Sequence, residues 1–147
     1  MDNNHLEVVR LLLTHQQVDP AANNNYAIKC SSENGHLEVV RLLLSDHRVN
    51  PSDCHDCAIR WASEKGHHEV VRLLLSDQRV NPTSMDNYAI RLASKYGHLE
   101  VVRLLLSDQR VDPAAEDNEA ILWASHYGHH DVVRLLQSDQ RVDSSDY

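Results

Sequence analysis

The sequence predicts an all-α solenoid of stacked helix–turn–helix units joined by short loops. Three observations carry this reading. The stretch Gly97 to Pro113, GHLEVVRLLLSDQRVDP, recurs along the chain, opened by His5, His36, His67, His98 and His129, spaced by 31 residues each time. A fixed period of this size marks stacked repeats, which bury a core only against their neighbours. The same clock governs other columns: Ala27, Ala58, Ala89 and Ala120; Ile28, Ile59, Ile90 and Ile121; Ser32, Ser63, Ser94 and Ser125. Finally, there is no phenylalanine and only 5% aromatic residues, so the core is built from leucine, valine and isoleucine.

Taken in order, the array occupies 1–147, with a partial repeat at 1–22, full repeats at 23–53, 54–84 and 85–115, and a C-terminal repeat at 116–147. Met1 to Asn4 fall where a first helix would end, so the partial unit supplies mainly a second helix. The 85–115 unit shows the pattern of all the full ones. Asp86 and Asn87 are good N-caps, and helix one runs from there through YAIRLASKY. Gly97 stops it, because a glycine just past a helix end takes the left-handed conformation at no steric cost. His98 opens helix two, and Glu100 lies in its first turn, where negative charge suits the dipole. Glu100 and Arg103 are three apart and can pair. Val101, Val102, Leu104, Leu105 and Leu106 make helix two apolar over most of its circumference, as a sandwiched helix must be. Ser107-Asp108 ends it. Val111-Asp112-Pro113 is extended, since a proline disfavours helix in the residue before it. In the last unit Gln137 replaces the third leucine and Ser144 replaces the proline, which reads as a partial polar cap. The N-terminal half unit is either a natural cap or the edge of a longer array.

The line DNYAIRLASKYGHLEVVRLLLSDQRVDP resembles the ankyrin repeat, and its registered copies extend the resemblance over essentially the whole chain. The family's Thr-Pro-Leu-His pattern is altered: Tyr26, Cys57, Tyr88 and Glu119 replace the threonine, and Lys29, Arg60, Arg91 and Leu122 replace the histidine. The period is shorter than the family's, which implies clipped hairpin tips on a normal helical stack. The wording is also similar to repeat arrays of large DNA viruses, a resemblance that bears on source and not on function. The resemblance implies a non-catalytic module that holds a protein partner on its concave side, through hairpin tips and the exposed face of helix one.

Composition narrows the function classes. A formal net charge of −8 is unsuited to a general nucleic-acid binder, which needs a basic face. Three irregularly spaced cysteines form no disulfide framework and suit a reducing interior, cytoplasmic or nuclear. No run reaches the length of a membrane span. A monomer without cofactor is expected.

Repetition is itself a test of role, because a catalytic site is not printed once per unit. By that test the Gly-His column, the leucine runs and the arginines Arg10, Arg41, Arg72, Arg103 and Arg134 are framework. Cys54-His55-Asp56-Cys57 has the paired-cysteine spacing of zinc sites, but no second pair exists to complete four ligands. A metal-holding protein built on Cys54 and Cys57 is therefore the lesser alternative, as is a structural segment of a longer array or adaptor. Trp61 and Trp123 share a column with Cys30 and Leu92, where packing between units is the expected role. No nucleophile elbow, phosphate loop or triad spacing is present. Variation concentrates in three columns: Glu33, Glu64, Lys95 and His126; Asn34, Lys65, Tyr96 and Tyr127; Lys29, Arg60, Arg91 and Leu122. Tyrosine and arginine are enriched at binding hot spots. The candidate contact residues are thus Arg60, Lys65, Arg91, Lys95, Tyr96, Leu122, His126 and Tyr127, weighted toward the last two units.

Overall fold

The structure, a computed structural model, describes residues 3–142, with side chains from residue 5 onward; the Ser144 position lies outside the described residues. Among these residues there are nine helices and no strand. They are α1 (Asn3–Thr14), α2 (Ala22–Glu33), α3 (Leu37–Ser45), α4 (Asp53–Lys65), α5 (His68–Leu75), α6 (Ser84–Lys95), α7 (Leu99–Ser107), α8 (Ala115–His126) and α9 (His130–Gln137). The first helices α2, α4, α6 and α8 lie side by side in one layer; α1, α3, α5, α7 and α9 form the other. The first layer packs more closely because its facing side chains are small. Ala58, Ala62, Ala89, Ala93, Ala120 and Ala124 are all buried, which lets backbones approach. Between the layers, Ile28, Ile59, Ile90 and Ile121 meet Val40, Leu43, Val71, Leu74, Val102 and Leu105 in one continuous aliphatic core. Each fully buried side chain of this size contributes about 1.5–3 kcal/mol.

Helix one ends as the sequence predicts. Gly97 has φ +75°. His98 N–H donates to the Ala93 carbonyl at 2.9 Å and Gly97 N–H to Ser94 at 3.3 Å, the paired bonds of a glycine-closed helix end. The glycine also has a second role. A Cβ built on Gly35, Gly66 or Gly97 would stand 2.6, 2.5 or 2.4 Å from Nδ1 of His67, His98 or His129 in the next unit. Those rings use the space to reach back. Nε2 of His67 bonds to the Glu33 carbonyl at 2.9 Å, His98 to Glu64 at 2.7 Å and His129 to Lys95 at 2.9 Å. A carbonyl only accepts, so Nε2 carries the hydrogen.

The start of helix one departs from expectation. Asp86 and Asn87 do not cap it: no side-chain cap bond forms, and Met85, Asp86 and Asn87 have φ of 55°, 55° and 59°. The same three-residue left-handed turn recurs at Asn23–Asn25, Cys54–Asp56 and Glu116–Asn118. Its last residue is always Asn or Asp, whose short polar side chains tolerate this region best. That side chain reaches across to the loop that leaves helix two: Oδ1 of Asn25, Asp56 and Asn87 accepts the N–H of Asn50, Asn81 and Asp112 at 2.7, 2.8 and 2.8 Å. The residue expected to cap its own helix staples the next loop instead.

A second arginine column completes the coupling. Arg48, Arg79, Arg110 and Arg141 each grip an aspartate two residues earlier, with Nη2 2.6–2.7 Å from Oδ2. Their Nη1 atoms donate to the preceding unit, at the carbonyls of Val18, Val49, Val80 and Val111, 2.8–3.2 Å away. The arginines read from the sequence as framework, Arg10 to Arg134, lie on the exposed side of helix two. There Arg103 pairs only with Glu100 of its own helix, at 3.6 Å.

The Arg48 hydrogen bonds hold the Asp46 carboxyl down from 3.8 to about 2. A carboxyl lowered by folding contributes stability above its unfolded value and loses it as pH falls toward the folded one. Urea unfolding should therefore show stability declining from about pH 4 downward. Asp46→Asn should lower stability at neutral pH and flatten that decline; an unchanged acid slope would contradict the latch.

Among the described residues, a Cβ on Gly128 would meet nothing within 4 Å. Gly128→Ala should thus incur only the left-handed backbone cost, about 1–2 kcal/mol. Gly97→Ala should cost clearly more, and the excess should vanish in a His129→Ala background. Denaturant titration of the four-variant cycle measures this directly.

Candidate functional site

Helix periodicity sets the geometry of the varied face. Arg91 and Lys95 are one turn apart on α6, and Glu119, Trp123 and Tyr127 follow the same spacing along α8 and its end. Stacking α6 beside α8 interleaves these rows into a ladder of cations and rings. The Arg60 guanidinium lies 5.9 Å from the Tyr88 ring centre, and Arg91 lies 5.1 Å from the same ring and 5.6 Å from Trp123. Lys95 Nζ is 5.1 Å from Trp123, 5.4 Å from Tyr96 and 5.9 Å from Tyr127. These are cation–π distances, and three rings around one ammonium fix its position. His126 meets the Tyr127 ring edge-on at 4.9 Å.

The candidate residues divide by how much of each remains free. Tyr96, Leu122 and Tyr127 are exposed, at 45%, 44% and 52%. Lys95 is half-buried among them, and His126 is exposed beside Tyr127. Lys65 is exposed and 3.8 Å from Glu64. Arg60 is the one buried residue among the candidates. It is only 8% exposed. Its Nε and Nη2 donate to the His55 and Cys54 carbonyls at 2.8 and 2.9 Å. The left-handed turn takes its Nε and Nη2 donors, so this buried guanidinium props the turn. Arg91 is partly consumed in the same way. It forms an ion pair with Glu119 across the unit boundary and also reaches the Met85 and Asp86 carbonyls at 3.3 Å.

Tyr88, Glu119 and Trp123 belong to the ladder but were not among the candidates. Glu119 opposite Arg91 breaks its column, where tyrosine or cysteine stands in the other units, and that charge reversal was the available signal. Trp123 was expected to pack between units; it does so by carrying the cations of the preceding helix.

The cysteine pair has a different local role. Cys57 is buried and its Sγ–H donates to the Cys54 carbonyl at 2.8 Å, while Cys54 is exposed. Burial, and then the neighbouring Cys54 side chain, push the Cys57 thiol up to about 11. A metal takes the thiolate, which this environment disfavours. Among the described residues no group of three or more His, Cys, Asp or Glu side chains is assembled to hold an ion. None of the described helices is long and apolar enough to cross a membrane.

A two-layer stack of short helix pairs, coupled unit to unit through backbone carbonyls, defines a helical-repeat solenoid. A family model described as ankyrin repeats (3 copies) matches residues 1–86 and again 59–146. The chain belongs to the ankyrin repeat family, whose members are generally protein-interaction modules and typically non-catalytic. No curated protein matches it.

Proposed function

We propose that the chain is a non-catalytic binding module that holds a protein partner on the concave face formed by α6 and α8. The observation that carries this reading is the Tyr88–Arg91–Trp123–Lys95 ladder, bordered by exposed Tyr96, Leu122 and Tyr127. Rigid aromatic side chains offer large contact area at low conformational cost, and here cations lock their rings. The equivalent positions in the second unit are Tyr26, Lys29, Cys30, Glu33 and Asn34, where Tyr26 is the one ring and a cysteine stands in the tryptophan column. The favoured surface is therefore local to the last two units.

A net charge of −8, with the latch arginines tied to aspartates and carbonyls, argues for a protein rather than a nucleic-acid ligand. Three free cysteines, two of them not buried, fit a reducing compartment inside the cell.

Affinity capture with quantitative binding tests the face. Tyr96→Ala with Tyr127→Ala should weaken the captured partner by about 2–4 kcal/mol, the range of hot-spot losses. Glu33→Ala with Asn34→Ala should change binding by less than about 0.5 kcal/mol. Equal losses from the two pairs would reject this placement.

A further inference from the structure

We infer that the α6–α8 face recognises a single carboxylate on its partner, an aspartate or glutamate flanked by an apolar side chain, and that Lys95 is the group that reads it. This rests on the binding face proposed above and adds the chemistry of its occupant.

The inference starts from which cations are already engaged. Arg60 gives its donors to the Cys54 and His55 carbonyls. Arg91 is bonded to Glu119, which neutralises it. Lys65 sits near Glu64. Among the described residues, no carboxylate comes within ion-pair distance of Lys95, and its Nζ donates no hydrogen bond to the protein. Rings of Trp123, Tyr96 and Tyr127 hold it instead. Ring faces attract a cation but accept no full hydrogen bond, so all three ammonium donors stay available. The cage also removes part of the water around the ammonium, which strengthens a later charge-assisted bond.

The type of anion follows from the same accounting. Phosphate is characteristically recognised by the fork of an arginine; Arg91 of this face is paired with Glu119, and Arg60 of the neighbouring α4 is buried under its turn. One compact ammonium matches one carboxylate. The chain's charge of −8 repels an acidic tract, as do the exposed acids Asp86, Glu116 and Asp117 at the turns on the opposite end of the first helices. They steer a lone carboxylate toward the Lys95 end. Leu122, Tyr96 and Tyr127 then offer apolar surface to the residue beside it.

The test uses the full chain and a phage-displayed library of random peptides, with enriched sequences synthesised for titration by fluorescence anisotropy. Enriched peptides should share an Asp or Glu next to an aliphatic or aromatic residue. Lys95→Gln should weaken them about tenfold or more, and changing the peptide's acid to its amide should do the same. Combining both changes should add little, because the two groups act as a pair. Lys95 is half-buried at the surface, and circular dichroism of Lys95→Gln checks that the variant folds. Peptides that lose binding with Tyr127→Ala yet ignore Lys95→Gln would overturn the carboxylate reading and leave the face standing. A phosphorylated peptide that binds more tightly than its carboxylate counterpart would also overturn it. Peptides indifferent to both substitutions, or no enrichment at all, would overturn the carboxylate and the face together.

Discussion

Everything in this solenoid depends on how one unit holds the next, because a single pair of helices this short buries too little to stand alone. The central contact is the fit of a histidine ring into the space left by a glycine. His67, His98 and His129 occupy the volume where a Cβ of Gly35, Gly66 and Gly97 would lie, and bond a carbonyl at the end of the preceding first helix. The glycine thus satisfies two demands at once. It ends its own helix with positive φ, and it admits the ring of its neighbour. One residue type meets both, which explains why the Gly-His pair is repeated without change in every full unit.

Around that contact, polar groups do work that a larger protein assigns to a thicker core. Asn25, Asp56 and Asn87, each the last residue of a left-handed turn, bind the following loop, and the Asp-x-Arg latch binds the preceding one. Both use backbone carbonyls or N–H groups as partners, and Asn25 and Asp56 add side-chain bonds to Asp53 and Ser84. The charge balance of the framework is local, since each latch arginine carries its own aspartate.

The varied face is the complement of this economy. Its arginines are drawn into turn carbonyls and a cross-unit ion pair, its rings are fixed by cations, and Lys95 alone among its described cations is held by rings only. The aromatic and aliphatic exposure at Tyr96, Leu122 and Tyr127 borders these engaged groups.

The sequence by itself determined the repeat, its period, the all-α stack, the aliphatic core and the helix-ending glycine. Each of these follows from local chemistry or from a pattern printed several times. The Asp-x-Arg column was equally visible as a repeat at Asp46-Arg48, Asp77-Arg79, Asp108-Arg110 and Asp139-Arg141, but periodicity gives a residue's constancy and not its partner. Only the tertiary structure decided that this column couples units while Arg10 to Arg134 do not. It also decided that Asn87 staples rather than caps, that Arg60 is buried under its turn, and that Tyr88 and Trp123 bracket Arg91. The reason is common to all four. Their partners lie in the turn, in the loop beyond helix two or in the adjoining unit, some 25 to 35 residues away for the longer bonds, at distances set by how closely the alanine faces let the helices approach.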